Sequence, residues 1–145
     1  LLELPHGHIL PGTEKLVDYL LGKNIRPIIA HPERNAGVIR QLEKIEPFVQ
    51  AGCMLQLTAG SVHGFFGEPV RQRSRQMLEL GWVNILASDA HDMKHRPPEL
   101  EKGRQAAAEI IGEDASWDLV RERPAEIAHS LFADDLASLH TPPPP

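Results

Sequence analysis

A chain of 145 residues has the length of one domain and enough side chains to bury a core. Its net charge of −5, with no long basic block, argues against a nucleic-acid groove, and its strand-sized apolar runs argue against membrane insertion. The single cysteine excludes an intramolecular disulfide and suits a reducing cytoplasm, whereas 8 histidines in so short a chain invite a search for metal ligands.

Leu1 to Leu4 reads as a first strand, with Glu3 near its end. Pro5 to Gly12 is a turn-rich loop carrying His6-Gly7-His8, a metal-compatible spacing with no further ligand fixed beside it. Thr13 is the expected N-cap of a helix whose apolar face is Leu16, Val17, Leu20 and Leu21, stopped by Gly22 and Asn24. Arg26 to Ala30 reads as the second strand and delivers His31-Pro32-Glu33-Arg34. Val38, Ile39, Leu42 and Ile45 fall on one side of a following helix, and a second short helix runs from Pro47 to Gly52.

Cys53 to Thr58 is the third strand, with its thiol expected to be buried and inert. It empties into a loop from Ala59 to Gly67, whose glycines are misspaced for a nucleotide-binding P-loop. Phe65 and Phe66 either pack this loop down or offer an apolar wall to an aromatic substrate. Pro69 to Leu80 is helical, with Arg71, Arg73 and Arg75 as a solvated face, and Gly81 ends it. Val83 to Ala87 is the fourth strand, bringing the chain to Asp89 and His91. Beyond the loop from Asp92 to Pro98, helices are expected from Glu99 to Ile111 and from near Asp114 and Pro124. Residues 1–132 make up the expected domain, and 133–145, closing on four prolines, an extended or disordered tail.

Strand and helix alternate in units of roughly 25 to 35 residues, the length of βαβ units, which build parallel sheets. In such architectures the chemistry gathers at the carboxyl ends of the strands. Glu3, His31, Gln56 and the pair Asp89 and His91 recur at those ends. Residues two apart on an extended segment point the same way, so Asp89 and His91 are expected to aim together. A carboxylate and an imidazole so placed can bind a divalent metal, although an ordinary hydrogen-bonded turn also fits the spacing. Each cluster is trailed by an arginine, Arg34 and Arg96. A guanidinium fork grips two oxygens of a phosphate, and the competing reading of each is a surface salt bridge. Taken together they point to metal-assisted hydrolysis of an anionic substrate, with no protein nucleophile. A cysteine-phosphatase loop would need an arginine six positions after Cys53, where Ala59 stands. His63, His95, His129 and His140 show no partner by spacing.

Ile-Ile-Ala-His-Pro-Glu-Arg-Asn (28 to 35), Leu-Gln-Leu-Thr-Ala-Gly-Ser (55 to 61) and Ala-Ser-Asp-Ala-His-Asp (87 to 92) with Arg96 resemble the bacterial PHP-family protein-tyrosine phosphatases of capsular and exopolysaccharide operons. The resemblance runs from Leu1 to Ala128 in the same order. It implies a distorted (β/α) barrel, here an incomplete one of four βα units, with a cluster of divalent metal ions, usually described as manganese, iron and zinc being alternatives. It further implies a phosphotyrosine protein as substrate, a cytoplasmic tyrosine autokinase that controls polysaccharide synthesis. By the same resemblance Glu3 matches a metal-bridging carboxylate, His31, Asp89 and His91 match metal ligands, and Arg34 and Arg96 match phosphate-binding catalytic arginines. The family's opening Asp-x-His-x-His strand has no counterpart here, so the chain reads as the C-terminal portion of such a phosphatase. Exposed strand edges would then favour a homo-oligomer or a partner that supplies the rest. The competing functions are a PHP phosphoesterase for a small metabolite of the histidinol phosphate type, and a non-catalytic metal-binding or oligomerising fragment.

Overall fold

The computed structural model describes residues 1–138, and the side chains of residues 1–130. Strands β1 (Leu2–Glu3), β2 (Ile28–Ala30), β3 (Met54–Thr58) and β4 (Val83–Ala87) form one parallel sheet in the order β1-β2-β3-β4. Leu2 pairs with Ile29, Ile28 with Met54, and Leu55 with Val83. The order advances one strand at a time without reversal, so right-handed crossovers place the connecting helices on one face. Alternation along the strands follows: Ile29, Leu55 and Leu57 are fully buried, while Ile28, Gln56 and Ile85 are only half-buried. The register slips between Leu55 and Gln56. There the Leu55 N–H donates to the Asn84 side-chain oxygen at 2.9 Å, which replaces a lost ladder bond.

Helices α1 (Thr13–Gly22), α2 (Ala36–Arg40), α3 (Glu46–Gln50), α4 (Ala59–His63), α5 (Glu68–Glu79), α6 (Glu101–Ile111), α7 (Glu113–Asp118) and α8 (Glu122–Ser138) fill the connections. Val17, Phe48, Met77 and Ala107 carry their apolar faces into the core. Cys53 is buried too, and desolvation pushes its thiol up, so it stays protonated and unreactive. The helix expected through Val38 and Ile45 is divided: α2 ends at the extended residue Gln41, and a 3-10 turn, Leu42–Lys44, leads into α3. Thr13 is the first residue of α1 rather than its cap. Gly12, at φ +90°, takes the cap position, while the Thr13 hydroxyl donates to the Leu10 carbonyl at 2.7 Å.

The first half of the expected Ala59–Gly67 loop is helix α4. Its glycines suggest a loop locally, but the backbone packs tightly on α6, where a Cβ placed on Gly103 would lie 2.5 Å from the Ala59 Cα. Arg73 also departs from its expected solvated place, since it is half-buried and donates to the Ile39 carbonyl at the end of α2. Arg71 and Arg75 do remain on the surface. Arg104 of α6, buried to 5 % exposure, donates to Glu101, Glu113 and Ser116 and lies 4.2 Å from the Trp117 ring, tying α6 to α7. Helix α8 runs past the tail boundary expected at residue 133, and residues 139–145, with the prolines, lie outside the described residues. Among the described residues no helix is long and apolar enough to cross a membrane.

Replacing Gly103 with Ala would force α4 and α6 apart. The Gly103→Ala variant is expected to lose about 1–3 kcal/mol of stability, the cost of overpacking a tight contact. Urea unfolding checks this, and an unchanged midpoint would count against the contact.

Candidate active site

The exits of β2 and β4 share a backbone peculiarity. His31 (φ 34°) and Asp89 (φ 51°) both adopt left-handed conformations, which cost a non-glycine residue about 1–2 kcal/mol each. At His31 the turn sends the chain into the 3-10 segment Pro32–Arg34, and the His31 N–H stays tied to the sheet through the Gln56 carbonyl at 2.8 Å. At Asp89 it breaks the extended path on which the expected common aim of Asp89 and His91 depended. The Asp89 side chain is turned to two guanidiniums: its Oδ2 accepts from Arg34 Nη1 at 2.7 Å and from Arg96 Nη2. Arg96 Nη2 also donates to the Asp89 carbonyl at 3.1 Å. His91 is exposed, with Nδ1 2.9 Å from the Asp89 carbonyl oxygen and 3.9 Å from Oδ1.

Glu3 and His31 meet across the β1–β2 ladder, with Oε1 3.3 Å from Nε2. Burial, reinforced by the Arg34 charge, lowers the His31 pKa against the opposing pull of Asp89 and Glu3. Neutral imidazole is the form that ligates metal. Carboxylates with neutral imidazole are a suitable donor set for a divalent ion, so the residues fit a metal in kind. In number they form two pairs, Glu3 with His31 and Asp89 with His91. Among the described residues no group of three or more His, Cys, Asp or Glu side chains is gathered to hold an ion. His6 gains a neighbour that its sequence spacing did not reveal, stacking on His31 with centroids 6.2 Å apart. Its loop is fixed from the other side, because Asn35 Nδ2 donates to the Pro5 carbonyl at 2.6 Å and Ala36 N–H to that of His6 at 2.7 Å.

Three further residues organise the site, and of these the sequence suggests a role only for Phe66. Asp92 Oδ1 accepts the Lys94 N–H at 2.7 Å and that of His95, and these bonds hold its carboxyl below the usual range. The resulting turn presents Arg96; an acidic residue opening a polar loop is the signal that could have found it. Glu33 is fully buried and accepts the Thr58 N–H at 3.0 Å, which joins the His31–Arg34 segment to the end of β3. Its other oxygen and the hydroxyls of Thr58 and Ser61 are buried without a complete hydrogen bond, although the Ser61 hydroxyl is close enough to favour the ionised carboxylate. Desolvation outweighs these contacts and pushes Glu33 up to about 7. Phe66 is the third. Its ring centroid lies 4.5 Å from the Arg34 guanidinium carbon and 5.9 Å from that of Arg96. A cleft of about 160 Å³ opens beside it, lined by Thr58, His63, Phe65, Phe66, Arg96 and Lys102 among others.

A one-way parallel α/β sheet whose carboxyl edge joins paired arginines to carboxylate and imidazole groups defines the class: an α/β protein with two converging guanidiniums beside potential metal ligands. Residues 3–129 match the family described as "Capsular polysaccharide synthesis, CpsB/CapC", and the chain belongs to that family. It is 36% identical over 97 residues to CapC of Staphylococcus aureus, covering 67% of this chain and 38% of CapC. It is 35% identical over 96 residues to the tyrosine-protein phosphatase YwqE of Bacillus subtilis, covering 66% and 38% of the two chains. In structure it matches a chain from crystallographic work on YwqE and on CpsB of Streptococcus pneumoniae, described there as unique metal-dependent tyrosine phosphatases. That match has a TM-score of 0.78 and 30% identity, over 82% of this chain and 48% of the other. The chain thus spans 38% of the length of these two relatives and 48% of the structurally matched chain.

The buried Glu33 predicts a pH dependence with a definite sign. Its folded pKa of about 7 exceeds the ordinary 4.5, so the folded state holds the proton more tightly. The contribution of Glu33 to stability is therefore greatest below pH 4.5, falls as pH rises through the interval to 7, and is level above it. The loss across that window is on the order of 3 kcal/mol. Denaturation midpoints of wild type and Glu33→Gln, compared from pH 4 to 8, are expected to diverge in this interval; parallel curves would refute the assignment.

Proposed function

We propose that this chain is the phosphate-gripping part of a metal-dependent phosphomonoester hydrolase acting on phosphotyrosine in proteins. The observation that carries the reading is the convergence of Arg34 and Arg96, from two separate strand exits, on one spot next to a neutral imidazole. Each guanidinium has five N–H donors, of which Asp89 engages only part, so donors remain for phosphoryl oxygens. Arg34 and Arg96 bind and orient the phosphoryl group and offset the charge that builds on its oxygens. Glu3 with His31, and Asp89 with His91, would hold divalent metal, Mn²⁺ being the ion assigned by family resemblance. Such an ion, when bound, supplies Lewis acidity and an acidified water for attack on phosphorus. Asp89 then has two tasks: it bridges the arginines through Oδ2 and leaves Oδ1 toward His91.

The sheet supports a wider architectural reading. Strand order without reversal is the winding of a closed (β/α) barrel rather than of a doubly wound sheet, and the half-buried face bearing Ile28, Gln56 and Ile85 has the character of a barrel interior not yet covered. We read the four βα units as part of a barrel of PHP type whose remaining strands come from elsewhere in a longer chain or from a partner. The substrate within the family is taken to be a tyrosine autokinase in the cytoplasm.

Hydrolysis of p-nitrophenyl phosphate and of a phosphotyrosine peptide, with added Mn²⁺, tests the proposal. Arg34→Ala and Arg96→Ala are each expected to lower kcat/KM about 100- to 1,000-fold, the usual cost of a charge-stabilising donor. His31→Ala is expected to reduce bound metal, measured by elemental analysis. A preference for histidinol phosphate over the phosphopeptide would move the substrate to small metabolites. Metal and phosphate binding without turnover would leave the chain a binding fragment.

A further inference from the structure

Two like-charged guanidiniums are held close together, and one carboxylate neutralises only one of them. Phe66 addresses the remainder. Its ring lies within 6 Å of both guanidinium carbons, at 4.5 Å from Arg34 and 5.9 Å from Arg96, and an aromatic quadrupole attracts a cation at this range. The ring is seated deliberately. A Cβ on Gly60 would come 3.0 Å from Phe66 Cε2, so the glycine leaves room for it, and Phe65 meets it edge to face at 5.0 Å and 89°. Phe65 itself is 60% exposed, which is a poor arrangement for merely packing down a loop.

The same two rings and Pro97 form much of the lining of the cleft that includes Arg96. At about 160 Å³ its volume is near that of apolar cavities known to admit a benzene molecule, roughly 150 Å³. Arg96 belongs both to the arginine pair and to this lining, so the apolar wall adjoins the phosphate grip. An alkyl phosphate would leave this wall wet, whereas an aryl ester would cover it.

Resting on the reading of Arg34 and Arg96 as phosphate holders, we propose that Phe66 is the specificity-determining residue of this site: it spaces the two guanidiniums and presents the wall against which the aryl ring of a phosphomonoester lies. Selection of aromatic over aliphatic esters then comes from one side chain that touches both the arginines holding the phosphoryl group and the aryl ring.

The test compares three anions by calorimetry on the full chain: inorganic phosphate, methylphosphonate and phenylphosphonate. Wild type is expected to bind phenylphosphonate about tenfold more tightly than methylphosphonate, the worth of one aromatic pair. Phe66→Leu should abolish that preference, and Phe66→Tyr should retain it. Equal affinity for the two phosphonates in wild type, or a preference that survives in Phe66→Leu, overturns the proposal. Should Phe66→Leu unfold, intermolecular NOEs between the phenyl protons and the Phe66 ring are read in wild type, and their absence with ligand bound overturns it as well. Phosphate bound without phenyl preference removes only the role of Phe66. If none of the three anions binds, the phosphate reading of the arginines falls with it.

Discussion

Four strands running the same way, in the order of the sequence, send every strand exit to one edge of the sheet. The rest of the molecule answers to that constraint. Arg34 and Asp89 stand 55 positions apart in the chain and 2.7 Å apart in space because β2, β3 and β4 lie side by side. The helices cover the opposite face and bury Ile29, Leu55 and Leu57, which holds the strands in register. That packing also sustains two left-handed residues, His31 and Asp89, that an isolated segment would relax.

Charge is divided at this edge with some economy. Neighbours in sequence have opposite fates: Glu33 turns into the protein and is driven toward its neutral form, while Arg34 turns to Asp89 and stays ionised. His31, beside them, is also kept neutral. Arg34 and Arg96 share the single Asp89 carboxylate, and Glu3 brings a second carboxylate to the same edge beside His31, on a chain whose net charge is −5. On the proposed reading, a phosphate dianion meets two guanidiniums held side by side in an otherwise acidic chain. Such a field favours productive encounter at that spot and weakens as salt is added.

The elements that sequence reveals are those set by local pattern. Apolar runs mark β2, β3 and β4, proline and glycine punctuate the helices, and His31, Arg34, Asp89 and Arg96 announce themselves by sitting after strands. What escapes is set by contacts between distant segments. Gly60 and Gly64 read as loop residues, but α4 forms because Gly103, far along the chain, lets α6 approach Ala59. Residue type does not encode the sign of φ at Asp89, so the aim of its carboxylate could not be inferred from alternation. Glu33 sits in a polar tetrapeptide that suggests exposure, and its burial follows only from the docking of the 3-10 turn on β3. Phe66 stood between two readings until its distances to the arginines were known.

The unequal lengths of the two loops that Asp89 closes bear on how the molecule comes together. Arg96 reaches Asp89 across 7 residues and Arg34 across 55. Closing a short loop costs little entropy and takes well under a microsecond, whereas the long closure must await the docking of two strands on a third. The arginine pair therefore assembles only once β2, β3 and β4 lie side by side. With β4 and its loop in place but β2 undocked, Asp89 would face Arg96 alone, and Arg34 completes the pair last.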